Sequence, residues 1–80
     1  MTLDEFIATR RCYPINDPIV PDHALDLASP HVCHVLVYRG ETFIYEMEGG
    51  SYWLLLERDD YTSKDLGKLE AILFQWWRDQ

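Results

Sequence analysis

Eighty residues, with 14 Asp and Glu against seven Lys and Arg, carry a net charge of −7, and 48% of them are hydrophobic. A chain of this length buries roughly 60 to 65% of its unfolded surface, so residues 1–80 are read as one domain with no second core. The acidic balance speaks against direct binding to nucleic acid, whose affinity comes from neutralising phosphates with basic groups, and towards a protein partner with a basic surface. Simple solubility accounts for the same charge equally well.

Three Trp, five Tyr and three Phe enlarge a core that would otherwise be thin. Cys12 and Cys33 are too few for a disulfide framework, and no signal-peptide pattern opens the sequence, which implies a cytoplasmic protein with free thiols. The apolar runs fall far short of the roughly 20 residues that a membrane-spanning helix needs, so no membrane association is expected.

Thr2 and Glu5 have capping-box spacing and predict a helix from about Leu3. Leu3, Phe6 and Ile7 form its apolar stripe, Arg10 and Arg11 suit its C-terminal dipole, and Pro14 stops it near Cys12. Tyr13 to Pro30 holds all four prolines and reads as a long extended connection. Ile15, Ile19 and Val20 should anchor it, with a short turn capped by Asp22 over Ala24, Leu25 and Leu27.

Three strands follow, His31 to Tyr38, Thr42 to Glu48 and Tyr52 to Arg58, separated by turn signals at Arg39-Gly40 and Gly49-Gly50. No parallel crossover fits between them, so they form an antiparallel meander. Two-residue turns would put Phe43, Tyr45, Met47, Tyr52, Leu54 and Leu56 on the core face, joined by His34, Leu36 and Tyr38. The other face would then carry Val35, Val37, Ile44, Trp53 and Leu55. It is too apolar for solvent, so either the chain itself or a partner must cover it.

Asp59-Asp60 closes the third strand. Thr62 and Asp65 repeat the capping-box spacing, with Tyr61 and Leu66 as a hydrophobic staple. Leu66, Leu69, Ile72, Leu73, Trp76 and Trp77 then recur at helical intervals as one sheet-facing stripe, with Phe74 on the flank near Glu70. The predicted fold is α+β, a three-stranded antiparallel meander with a helix at each end of the chain (αβββα).

Little in the sequence suggests catalysis. Cys33 and His34 are neighbours on a strand and point to opposite faces, so they cannot act as nucleophile and base. His31 and Cys33 share a face, but a structural metal site needs four ligands in paired clusters, and no metal or other cofactor is expected. No nucleophile elbow, P-loop or dinucleotide fingerprint is present. The reading is therefore a non-enzymatic protein. Its partner-binding residues are expected to be Ile44, Trp53 and Leu55, edged by Glu46, Glu48 and Glu57, with Asp59 and Asp60 just beyond the strand. That makes an apolar anchor with an acidic rim.

The opening Thr2-Leu3-Asp4-Glu5-Phe6-Ile7-Ala8-Thr9-Arg10, the hairpin Tyr45-Glu46-Met47-Glu48-Gly49-Gly50-Ser51-Tyr52-Trp53 and the ending Asp65-Leu66-Gly67-Lys68-Leu69-Glu70 resemble small acidic proteobacterial and prophage proteins. Anti-CRISPR inhibitors, including those acting on type I-C Cascade, are among proteins of this kind. The resemblance implies an inhibitor in the cytoplasm, the host's if phage-encoded, that occupies a DNA-binding surface of a CRISPR effector, its carboxylates standing in for phosphates. The alternative is a homodimeric structural or adaptor module pairing through Val35, Ile44 and Trp53.

Overall fold

The computed structural model describes residues 1–20, 22 and 30–80. Its elements are helix α1 (Leu3–Ala8), strands β1 (Arg11–Pro14), β2 (Val32–Tyr38), β3 (Thr42–Met47), β4 (Tyr52–Leu55) and β5 (Asp60–Ser63), and helix α2 (Leu66–Arg78). The α+β class and the meander are as expected, but the sheet has five strands, in the order β1-β2-β3-β4-β5. Both additional strands are short, lie at the edges and are largely exposed, so neither shows the apolar alternation by which strands are recognised. Pro14 is tolerated because an edge strand does not need its missing N–H.

The capping box forms as predicted: Thr2 Oγ1 accepts from the Glu5 N–H at 3.2 Å, and Glu5 Oε1 accepts from the Thr2 N–H at 2.8 Å. The hydrogen bond from the Thr2 backbone holds the Glu5 carboxyl below its usual range. The helix ends at Ala8, however, and Arg10 and Arg11 lie beyond it. At the other end, Asp65 rather than Thr62 is the N-cap of α2, because the preceding residues are drawn into β5. The expected staple of Tyr61 and Leu66 is lost for the same reason.

Register is where the structure departs most from expectation. Tyr38 pairs with Thr42, and Tyr45 with Trp53, so each hairpin loop spans three residues instead of two. Arg39, Gly40, Gly49 and Gly50 all have positive φ, which lets both loops turn tightly. Each extra residue shifts pairing by one and exchanges the faces of everything beyond it. Strand β3 is therefore inverted relative to β2. The second shift restores β4, so Tyr52 and Leu54 stay on the predicted side.

On one face Leu36, Tyr38, Ile44 and Leu54 pack with Phe6 of α1 and Leu69, Leu73 and Phe74 of α2. Ile44 is 0% exposed there, which corrects its assignment to the face opposite Leu36 and Tyr38 as a partner-binding residue, and Phe43, Tyr45 and Met47 move to the opposite side. That second face is covered by the chain itself. Val20 is buried against Val32, Val35, Val37 and Tyr45, with Ile15 beside it. Ile19, expected as a third anchor, is 60% exposed. The turn proposed at Asp22 to Leu27 lies outside the described residues apart from Asp22 itself.

Candidate binding site

The eight residues expected to form one partner-binding surface fall in five places. Ile44 is buried beneath the helices. Glu46, on the same face, is 2.7 Å from His34 across the β2/β3 ladder. Glu48 lies by the Gly49-Gly50 turn, 3.4 Å from His31. Trp53 and Asp60 share the opposite face, where the indole N–H donates to Asp60 Oδ2 at 3.2 Å and the ring packs on Tyr45 at 5.2 Å between centroids. Only Leu55, Glu57 and Asp59 gather around open space.

That space arises from the sheet. Strands β3 and β4 pair only at Tyr45↔Trp53 and Glu46↔Tyr52, although β3 runs back to Thr42 and β4 on to Leu55. Where the ladder stops, a hollow of about 420 Å³ opens, walled by Phe43, Tyr45, Leu55, Leu56, Leu73 and Trp76, with Glu41, Thr42 and Glu57 completing its lining. A second hollow of about 380 Å³ adjoins it, sharing Leu56, Glu57 and Trp76 and reaching Asp59, Tyr61 and Asp79. Together they make a groove around Trp76, between the C-terminal half of α2 and the turn joining β4 to β5. Among the described residues, four carboxylates, Glu41, Glu57, Asp59 and Asp79, and one cation, Arg58, line it. The volumes fall within the range of about 300 to 1,000 Å³ usual for ligand clefts.

Trp76 was expected to face the sheet together with Trp77. Neighbouring helix positions point roughly 100° apart, so two successive tryptophans cannot share one contact. Trp77 turns towards α1, 5.4 Å from the Phe6 ring, with Arg39 over its face at 4.8 Å and its N–H donating to Glu41 at 3.0 Å. Trp76 is left half-buried as the wall of the groove. The adjacent tryptophans were the sequence signal for it.

A second polar feature lies on the far side of α2. Glu70 is 4% exposed, and its Oε2 accepts from the Tyr38 hydroxyl at 2.7 Å and from Arg10 at 2.8 Å. Burial first, then the bond to Glu70, pushes the Tyr38 hydroxyl far above its ordinary value. Desolvation works against the Arg10 charge, but Glu70 outweighs it and the guanidinium is held above its usual value. The cluster joins β2, α2 and the segment after α1, and it faces none of the groove residues, so it is a structural tie.

Cys12 is exposed and Cys33 half-buried, and neither forms a disulfide. Burial and then the nearby Glu46 charge raise the Cys12 thiol, which disfavours a reactive thiolate. Among the described residues no three His, Cys, Asp or Glu side chains gather as a metal site. No helix among them is long and apolar enough to cross a membrane. Comparison with protein-family models, curated proteins and solved structures returns no significant match for this chain.

Proposed function

We propose that this protein is a small, non-enzymatic cytoplasmic inhibitor that binds a basic, nucleic-acid-binding surface of a protein partner. A CRISPR effector complex is the partner that the resemblance to anti-CRISPR inhibitors implies. The observation that supports the reading is an aromatic groove lined, among the described residues, by four carboxylates and a single cation, on a chain with seven excess negative charges. An acidic surface speeds encounter with a basic one, and apolar contact then prolongs the complex. The target's DNA would lose access to the same lysines and arginines.

Homodimerisation through Val35, Ile44 and Trp53 is less well supported. Val35 and Ile44 are both 0% exposed within one chain, and Ile44 lies on the opposite face of the sheet from Trp53.

The test is a pull-down of type I-C effector subunits with the full chain, followed by competition against labelled target DNA at rising salt. The expected result is loss of DNA binding that weakens as salt rises. Unchanged DNA occupancy at saturating inhibitor would refute the proposal.

A further inference from the structure

We infer that the groove around Trp76 takes an arginine-bearing segment of the partner, with one guanidinium laid against the indole and facing Glu41 and Glu57. This rests on the reading of a basic protein partner, and it moves the contact from the Trp53 side of the sheet to the far end of β4. The larger hollow combines apolar walls with two carboxylates, which matches a side chain having an apolar stem and a cationic head. A purely apolar group would displace water from Glu41 and Glu57 without replacing its hydrogen bonds, and a phosphate or acidic peptide would be repelled.

Arginine fits better than lysine because a planar guanidinium stacks on an aromatic face while still bonding carboxylates at its edge. The adjoining hollow, with Asp59 and Asp79 against Arg58, favours a second basic residue nearby in the same segment. Glu41 already accepts from Trp77 and is held in place at the rim. Glu57 is exposed and has no hydrogen bond or ion pair among the described residues, so its charge is available.

The experiment titrates the isotope-labelled full chain with a Gly/Ser peptide carrying Arg-Leu-Arg-Leu-Arg at its centre, and with counterparts in which Lys or Glu replaces Arg. The Arg peptide should move the Trp76 indole signal and the amides of Leu56 and Glu57 while leaving the Trp53 indole in place. The Lys peptide should bind more weakly and the Glu peptide not at all. Glu57→Lys should weaken the Arg peptide by about tenfold and Glu57→Gln by less, as expected for reversing or removing one facing charge. Equal binding of Arg and Glu peptides, shifts centred on Trp53, or an unchanged affinity in Glu57→Lys would each overturn the inference.

Glu57→Lys is also assayed in the DNA competition. Full inhibition by this variant would overturn the groove as the docking site while leaving the inhibitor reading intact. A wild-type chain that binds the Arg peptide at Trp76 yet leaves effector DNA binding unchanged would overturn the inhibitor reading and support the groove.

Discussion

The hydroxyl of Tyr38 donates to Glu70 at 2.7 Å inside the core, joining strand β2 to helix α2 across 32 residues of sequence. The Tyr38 ring stacks on Phe6 with only 6° between planes, so the residue contributes both packing and a polar tie. Tyr38→Phe keeps the stack and removes the hydroxyl. It leaves the buried carboxylate with Arg10 alone and is expected to cost about 1 to 3 kcal/mol, as for a hydrogen bond to a charged group. An unchanged urea midpoint would show that Arg10 by itself satisfies Glu70.

The same pair predicts alkaline sensitivity. The Tyr38 hydroxyl ionises well above the ordinary value of 10.0 in the folded chain and near it in the unfolded one. Its contribution is therefore fully present below the unfolded value and is lost as pH rises beyond it, because only the unfolded chain then gives up the proton. Stability should fall from about pH 9.5 upward and keep falling through the alkaline range, less steeply in Tyr38→Phe. Burial also raises Tyr45, so part of the slope should remain in the variant. Urea unfolding at several pH values reads both slopes, and parallel curves for the two proteins would refute the assignment.

Phe6 holds a six-residue helix in place. It is 0% exposed and its ring lies 5.3 Å from Tyr38, 5.3 Å from Phe74 and 5.4 Å from Trp77. Phe6→Ala should destabilise by about 3 to 5 kcal/mol, enough to unfold a domain of this size under mild conditions. Thr2→Ala, which removes only the cap, should cost about 1 kcal/mol. Thermal unfolding of the two variants orders them, and a Phe6→Ala chain as stable as Thr2→Ala would show that α1 is dispensable to the core.

Gly50 has a φ of +85°, and a Cβ added there meets nothing within 4 Å. The penalty for a substitution is therefore one of backbone conformation alone. Gly50→Ala should lose about 1 kcal/mol and Gly50→Val more, whereas Gly50→Asn should lose least because Asn tolerates left-handed backbone. Melting temperatures in any other order would mean that the loop readjusts.

Much of this molecule is legible before folding because the cues are local. Thr2 and Glu5 lie three residues apart and cap each other without help from the rest of the chain. Leu69 and Leu73 lie on one helical stripe and reach the core as their spacing predicts. Phe74 and Glu70 sit on the flank of the same helix, Phe74 buried against Phe6 of α1 and Glu70 against Tyr38 and Arg10, contacts without local signature. The short strands β1 and β5 were hidden for a related reason: edge strands bury little, so polar residues such as Asp60 and Thr62 read as caps and turns.

The Gly49-Gly50 hairpin divides what each level determines. Sequence by itself established that two apolar strands meet at this turn, that the sheet around them is an antiparallel meander and that the chain is strongly acidic. Tertiary structure decided that both loops hold three residues, and with that which residues face the helices. One residue more or less in a loop is a small local difference, but side chains alternate with a period of two, so it transfers Ile44 from a presumed surface to the core. The early end of the β3/β4 ladder, which opens the groove around Trp76, is likewise set by packing between distant segments.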